Sequence, residues 1–347
     1  MASLVLPVID YPTLHARKSD GTRTAESLQE RRELWAALSG SGFAYLRSPG
    51  VSQETVEALF ENSKKFFSKS FEEKLKIKGQ LDKGRGPSQG YSNPAKLAVN
   101  PKTSDLKEFF GMYRDDDTES PNQWLPDADS QKMRADLVVF FESCHSVILE
   151  LLSALTEEVG LPADTLHPYV SEKNHFIANL KYPEAQKNDF ENRVRAAAHT
   201  DYGCLTLLFN DAGEGLQVKR LNHDWEYVKR KDGCAILNVG DLTSRFFNGL
   251  LPSTVHRVIE PPSLAQGLES SVGDRYSIPF FGHYNLTTMV KPLPSLVTAD
   301  RPAQFEPVEA GEHVKARVRQ LHLAGHSLKE NEGESLKPAN AAVAASA

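Results

Sequence analysis

The triplet His199-Thr200-Asp201 sets an imidazole and a carboxylate two residues apart. On a β-strand, where side chains alternate between faces, both point the same way. His256, in the stretch Ser253-Thr254-Val255-His256-Arg257-Val258, falls on a later strand that an antiparallel fold can lay beside the first. Two imidazoles and one carboxylate cap one face of an octahedral ferrous ion and leave three positions open, enough for a bidentate co-reactant together with dioxygen. Each part also has an ordinary reading. With 11 histidines in 347 residues, one His-x-Asp pair is close to what composition yields by chance, and a histidine among β-branched residues is commonly a core or edge residue. Context decides between them.

That context is Arg275-Tyr276-Ser277, again alternate residues on a predicted strand. A guanidinium fork beside a hydroxyl grips a carboxylate through paired hydrogen bonds and so selects a diacid. Tyr182, in Asn179-Leu180-Lys181-Tyr182-Pro183, offers a phenol as a further donor, although a tyrosine at a strand end before proline needs no such role. A second Arg-x-Ser, Arg17-Lys18-Ser19, sits in a polar loop without strand patterning and does not follow the triplet.

The elements that must position these groups follow from composition and periodicity. At 40% hydrophobic and 25% charged, the chain is a folded globular protein. Forty basic against forty-six acidic residues, net −6, disfavour nucleic acid and anionic lipid as partners. Cys144, Cys204 and Cys234 are too few and too far apart for a disulfide framework or a zinc site, which fits a reducing, cytoplasmic setting. The N-terminus has no basic segment before an apolar run and reads as a strand rather than a signal peptide, and no long uncharged apolar run predicts a membrane span. Residues 28–75 are helical around a glycine break (Gly40, Gly42) and a short strand from Phe43 to Leu46, with a capping box at Ser70 and Glu73. Residues 78–130 read as loops with one apolar island at Phe109, Phe110 and Met112. Steps of three and four from Met133 to Val159 predict a long helix. Eight short strands follow, at 175–182, 204–209, 216–218, 225–228, 235–239, 254–259, 275–281 and 286–290, and then an amphipathic stretch at 314–328. Eight such strands predict an α+β fold with a double-stranded β-helix (jelly-roll) core and an α-rich N-terminal part packed on one sheet. The expected organisation is an α-rich region with substrate-side loops at 1–130, the jelly-roll core with supporting helices at 131–328 and a disordered tail at 329–347.

In this order the motifs are recognisable: the opening that ends in Asp10, Gly42 to Tyr45, Lys65 to Phe67, Gln89 to Tyr91, Lys107 to Phe110, Asn179 to Tyr182, His199 to Asp201, Gly215 to Val218, Asn238 to Asp241, His256 to Val258 and Arg275 to Ser277. Over roughly residues 5 to 325 the chain resembles the isopenicillin N synthase-like branch of the Fe(II)/2-oxoglutarate-dependent dioxygenases. That resemblance implies Fe(II) on His199, Asp201 and His256, with the distal carboxylate of 2-oxoglutarate on Arg275, Ser277 and Tyr182 and Asn179 lining its other end. It further implies O2 as oxidant, ascorbate as reductant, and oxidation of an unactivated C–H with release of succinate and CO2. The family places an aromatic residue against the substrate six positions after the clamp arginine, here Phe281. Tyr91, Phe110, Phe281 and Arg85 together suggest a mid-sized organic substrate, a specialised metabolite or a base-like ring. Two alternatives share the fold: an Fe(II) oxidase without 2-oxoglutarate, whose Arg-x-Ser binds the substrate's own carboxylate, and a jelly-roll metal- or ligand-binding protein without turnover. One departure from the family is length. Eighteen residues separate His256 from Arg275, more than relatives have, and they read as a lengthened surface hairpin.

Overall fold

The structure is a computed structural model that describes residues 3–79, 89–97, 105–211 and 214–324. The N-terminal elements are β1 (Val8–Asp10), α1 (Tyr11–Leu14), α2 (Ala25–Ser41), β2 (Phe43–Arg47), α3 (Gln53–Ser68), α4 (Phe71–Leu75), β3 (Gly90–Ser92), α5 (Pro94–Leu97) and β4 (Glu108–Met112). After the long α6 (Ala128–Glu158) come β5 (Phe176–Tyr182), β6 (Ala185–Gln186), β7 (Ala196–His199), β8 (Leu205–Asn210), β9 (Leu216–Lys219), β10 (Trp225–Tyr227) and β11 (Cys234–Val239). The chain closes with α7 (Asp241–Phe246), β12 (Val255–Val258), α8 (Pro262–Ala265), β13 (Ser271–Val272), β14 (Arg275–Phe281), β15 (Met289–Val290), β16 (Val308–Glu309) and α9 (Ala310–Ala324).

Two sheets face each other as a jelly roll. The larger runs β1-β2-β11-β8-β14-β5-β4-β3 and the smaller β10-β9-β12-β7. The helices begin where side chains can replace missing backbone partners: Thr24, Ser52 and Asp127 accept the N–H groups of Ser27, Thr55 and Ser130 at the starts of α2, α3 and α6, and Ser70 with Glu73 closes the expected capping box on α4. Helix α2 stops at Gly42, whose φ of 73° suits glycine and whose missing Cβ leaves room for the Pro252 carbonyl. That stop turns the chain straight into β2. Helices α2, α3 and α6 then cover the outer face of the large sheet, where Leu34, Phe66, Phe140 and Ile148 join Ile177, Leu207, Leu237 and Phe280 in one apolar core. Helix α6 is long and apolar enough to cross a membrane by length and composition, contrary to the expectation from sequence, yet its apolar side, from Met133 through Leu155, is buried in that core.

Three expectations are corrected by the structure. Residues 78–130 are not all loop: β3 and β4 extend the large sheet beyond β5, while β1 and β2 extend its opposite edge, so the N-terminal part is woven into the core sheet. The eighth predicted strand belongs to neither main sheet, because among the described residues β15 pairs only with β16, and its place is taken by β7. The run Ala196-Ala197-Ala198 has no alternation of apolar and polar residues to reveal it. The long connection before Arg275 is not a hairpin. It carries α8, passes from the small sheet to the large one, and uses β13 to pair with β6. Arg85 and the tail at 329–347 lie outside the described residues.

A buried histidine row links α6 to the start of β5 and the end of β14. The His283 backbone N–H donates to His175 Nδ1 at 3.0 Å, so His175 Nε2 carries the proton and donates to His145 Nδ1 at 2.9 Å. Burial lowers His283 to about 4, His175 well below its ordinary value, and His145 as well. An unfolded chain protonates these imidazoles near pH 6.5 while the folded one does not, so stability is complete above that pH and is lost as pH falls toward 4. We expect metal-free protein to lose about 3 kcal/mol by pH 4 from His283 alone. Urea midpoints measured between pH 7 and pH 4 test this, and a flat profile would contradict it.

Candidate metal and dicarboxylate site

His199 ends β7, and antiparallel pairing sets it directly across from His256 in the middle of β12. Their ring centroids are 4.3 Å apart. Asp201 does not share the strand as the spacing implied. It lies just past the end of β7, in a turn that its backbone carbonyl, accepting the Asp241 N–H at 2.8 Å, helps to hold. Close passage makes the turn possible, because a Cβ on Gly203 would overlap the Gly282 carbonyl. Arg317 of α9 donates to Thr200 Oγ1 at 2.7 Å and fastens the turn from the other side.

The orientation of the three side chains is set by their neighbours. His199 Nδ1 donates to the Ala197 carbonyl at 2.7 Å and His256 Nδ1 to the Thr254 carbonyl at 3.1 Å. Because carbonyls only accept, both protons sit on Nδ1 and both Nε2 lone pairs are free. These nitrogens stand 3.8 and 3.7 Å from Asp201 Oδ1. Asp201 Oδ2 is used differently: it accepts from Thr206 Oγ1 at 2.6 Å and Asn238 Nδ2 at 2.7 Å. Thr206 and Asn238 are register partners on β8 and β11, so one sheet supplies both anchors to a ligand set carried by the other. Phe43 completes the wall, edge-on to His256 at 5.5 Å. Burial, with the His256 imidazole next to it, lowers His199 to about 4. Burial acts to raise Asp201, but the His256 and His199 rings and the hydrogen bonds from Asn238 and Thr206 outweigh it and leave its pKa lowered. A deprotonated carboxylate beside two Nε2 lone pairs is the donor set a divalent cation requires. One ligand atom from each of the three residues lies within 4.8 Å of the other two, so a single ion can be reached by all.

Removing an anchor gives a measurable effect. Asn238→Leu leaves Asp201 Oδ2 with one donor and is expected to weaken metal affinity by about 10- to 100-fold. Competition with a chelator reads this, and wild-type affinity in the variant would show that the anchor is dispensable.

On the large sheet, Arg275 and Tyr182 are register partners on β14 and β5. Alternation puts Arg275, Ser277 and Phe281 on the inner face with Tyr182. Arg275 and Ser277 are buried, and among the described residues Arg275 Nε, Arg275 Nη1 and Ser277 Oγ have no hydrogen-bond partner. Unsatisfied donors at such depth are rare and costly, and a carboxylate supplies what they lack. The residues therefore fit the dicarboxylate implied by sequence, just as the two imidazoles and Asp201 fit the metal.

Other predicted positions fall elsewhere. Asn179 is three residues before Tyr182, an odd spacing that turns it to the opposite face, where Ser63 Oγ of α3 donates to its Oδ1 at 2.9 Å and Met133 of α6 packs beside it. Tyr91 and Phe110 are register partners that also face the helices. Tyr91 donates to Glu108 at 2.6 Å and Phe110 packs on Phe66 and Trp124, so both are core rather than substrate wall. Phe281 lies on the same face as Arg275 and Ser277, where it is half-buried and stacks on Phe176 beside Tyr113, Leu180 and Tyr182. Three residues around the metal-side groups escaped the sequence reading: Thr206, Asn238 and Arg317. Asn238 was visible only as part of a motif, and nothing in a linear sequence marks the other two.

This arrangement, an imidazole pair with a carboxylate and a buried Arg275 and Ser277 whose donors lack partners among the described residues, agrees with what the chain matches. Residues 173–283 match the 2OG-Fe(II) oxygenase superfamily, and residues 6–127 match the N-terminal region described as non-haem dioxygenase in morphine synthesis. The chain belongs to the 2OG-Fe(II) oxygenase superfamily and is a Fe(II)- and 2-oxoglutarate-dependent dioxygenase, using Fe(II), 2-oxoglutarate and O2. Among similar proteins, proline hydroxylase buaE of Petromyces alliaceus is 33% identical over 299 residues, 84% of this chain and 93% of its own. The 2-oxoglutarate-dependent dioxygenase frbA of a Dothideomycetidae species is 28% identical over 83% of this chain and 90% of its own. A full-length Neurospora crassa protein, solved in complex with alpha-KG and thymine, is 27% identical, covers 92% of this chain and 98% of its own, and superposes with a TM-score of 0.81.

Proposed function

We propose that the enzyme oxidises an unactivated C–H of a small ring-bearing organic molecule, a specialised metabolite, with His199, Asp201 and His256 holding Fe(II) and with Arg275, Ser277 and Tyr182 holding the distal carboxylate of 2-oxoglutarate. The observation that carries the substrate class is the inner-face wall: Phe281, half-buried and stacked on Phe176, offers an aromatic surface on the strand that also bears the clamp. The relatives support the same reading, since the Neurospora crassa protein was solved with thymine and with 5-formyluracil and buaE is named a proline hydroxylase, each a ring compound.

The iron, when bound, supplies oxygen activation coupled to decarboxylation of 2-oxoglutarate to succinate and CO2. The chain's own contribution is placement. The Nδ1–carbonyl bonds keep both imidazoles aimed inward, Thr206 and Asn238 keep Asp201 Oδ1 turned toward them, and Arg275 with Ser277 would hold the distal carboxylate of the diacid. Phe281 and the apolar inner face hold the substrate ring and exclude water. The unpaired thiols Cys144, Cys204 and Cys234 fit a cytosolic enzyme.

The test is to incubate iron-loaded protein with 2-oxoglutarate and a panel of pyrimidines, cyclic imino acids and open-chain amino acids, following succinate and oxidised product together. Succinate formed in step with oxidised ring compounds is the expected result. Turnover confined to open-chain substrates would reject the ring assignment, and product formed without 2-oxoglutarate would reject the clamp assignment.

A further inference from the structure

Arg195 lies four residues before His199 and is the largest of the side chains exposed by less than 2%. Burying a guanidinium is expensive unless it is paired, and no carboxylate among the described residues forms an ion pair with it. Among the described residues its Nε has no partner and its one side-chain hydrogen bond is a long one, Nη2 to the Gly273 carbonyl at 3.4 Å. The guanidinium carbon stands 5.7 Å from the centre of the Tyr182 ring and 5.8 Å from that of Phe190. Arg275 meets the same tyrosine, at 4.9 Å. Two buried cations therefore converge on one phenol. The nearby acid, Asp274, is partly exposed and engaged with Lys181 at 3.1 Å.

We propose that Arg195 is the second cation of the pocket for the distal carboxylate of 2-oxoglutarate, so that the bound dianion is held by two guanidiniums, Arg195 from the small-sheet side and Arg275 from the large sheet, around Tyr182. The inference rests on the cosubstrate reading above and extends it to a residue outside the Arg-x-Ser clamp. Burial, reinforced by the charge of Arg275, lowers the Arg195 pKa to about 10, the direction expected of a cation waiting for an anion. A pocket with two positive charges has a selective consequence: it favours a full carboxylate over any neutral group of the same shape, and without its anion it stores unfavourable charge.

The experiment measures binding, not turnover. Protein loaded with Mn(II) under argon is titrated with 2-oxoglutarate and with 2-oxopentanoate, which keeps the keto acid and replaces the distal carboxylate by a methyl group. Arg195→Met is expected to weaken 2-oxoglutarate by at least tenfold and to leave 2-oxopentanoate unchanged, with Arg195→Lys in between. The ligand-free melting temperature of Arg195→Met should equal or exceed that of wild type, because an unpaired buried charge has been removed. Undiminished 2-oxoglutarate affinity in Arg195→Met overturns the proposal, and so does a lower ligand-free melting temperature with equal losses for both keto acids, which marks a structural role. If Arg195→Met does not fold, Arg195→Lys decides alone by the same two ligands. Failure of wild-type protein to discriminate the two keto acids would overturn the cosubstrate reading itself, and this inference with it.

Discussion

Asp201→Ala is expected to purify as a folded protein that retains no stoichiometric iron and whose turnover falls by far more than 100-fold. The magnitude follows from comparison, since disturbing groups that only orient a ligand costs about 10- to 100-fold and this substitution removes the ligand itself. The fold should survive. Asp201 sits in a turn held by backbone hydrogen bonds, and its loss removes a buried carboxylate rather than a piece of the apolar core. The remaining defect is two unsatisfied donors, Thr206 Oγ1 and Asn238 Nδ2, at about 1–3 kcal/mol each at most. Iron content by colorimetric assay, together with melting curves with and without Fe(II) under argon, gives the answer. Wild type should gain stability on adding metal, as any ligand specific to the native state produces, and the variant should gain none. An Asp201→Ala protein that binds one iron and turns over normally would remove the metal assignment.

Arg275→Lys is the second large effect, and it is expected on the cosubstrate rather than on the metal. Lysine keeps the positive charge but replaces a planar fork of donors with one ammonium. At a buried site where Arg275 Nε and Nη1 both await an acceptor, losing one charge-assisted hydrogen bond is worth about 1.5–3 kcal/mol, so the 2-oxoglutarate concentration for half-maximal rate should rise about 10- to 100-fold. Iron content should not change, because the metal ligands lie on other strands and keep their own hydrogen bonds. Steady-state titration of 2-oxoglutarate at saturating iron measures the shift. An unchanged half-saturation value would show that Arg275 does not hold the distal carboxylate.

These two residues also mark how far a linear reading reaches. The chemistry of the site was legible because residue type limits it: two imidazoles and a carboxylate suit a ferrous ion, and an alternating Arg and Ser suit a carboxylate. The long α6 was equally legible, since a 3.6-residue period persists over 31 residues. The side chains misassigned to the site fail for one shared reason, strand parity. Asn179, Tyr91 and Phe110 are on strands of the right sheet, yet each points at the helices, and parity relative to the site cannot be counted without knowing the pairing register. The triplet ending at Asp201 was read as strand, but the bounds of β7 were missing from the eight predicted strands because three alanines carry no hydrophobic signal, although pairing with β12 makes it the bearer of a ligand.

Residue identity by itself determined the reactive inventory, the mixed helix-and-strand content and the two-sheet core, all of which depend on local pattern and on the chemistry of single side chains. Only the folded arrangement decided that His199 and His256 lie opposite each other, that Asn238 and Thr206 reach across from the other sheet to orient Asp201, and that Arg195 ends beside Tyr182. Those outcomes depend on contacts between positions dozens of residues apart. They come from register and the meeting of two sheets, which periodicity within one segment does not encode.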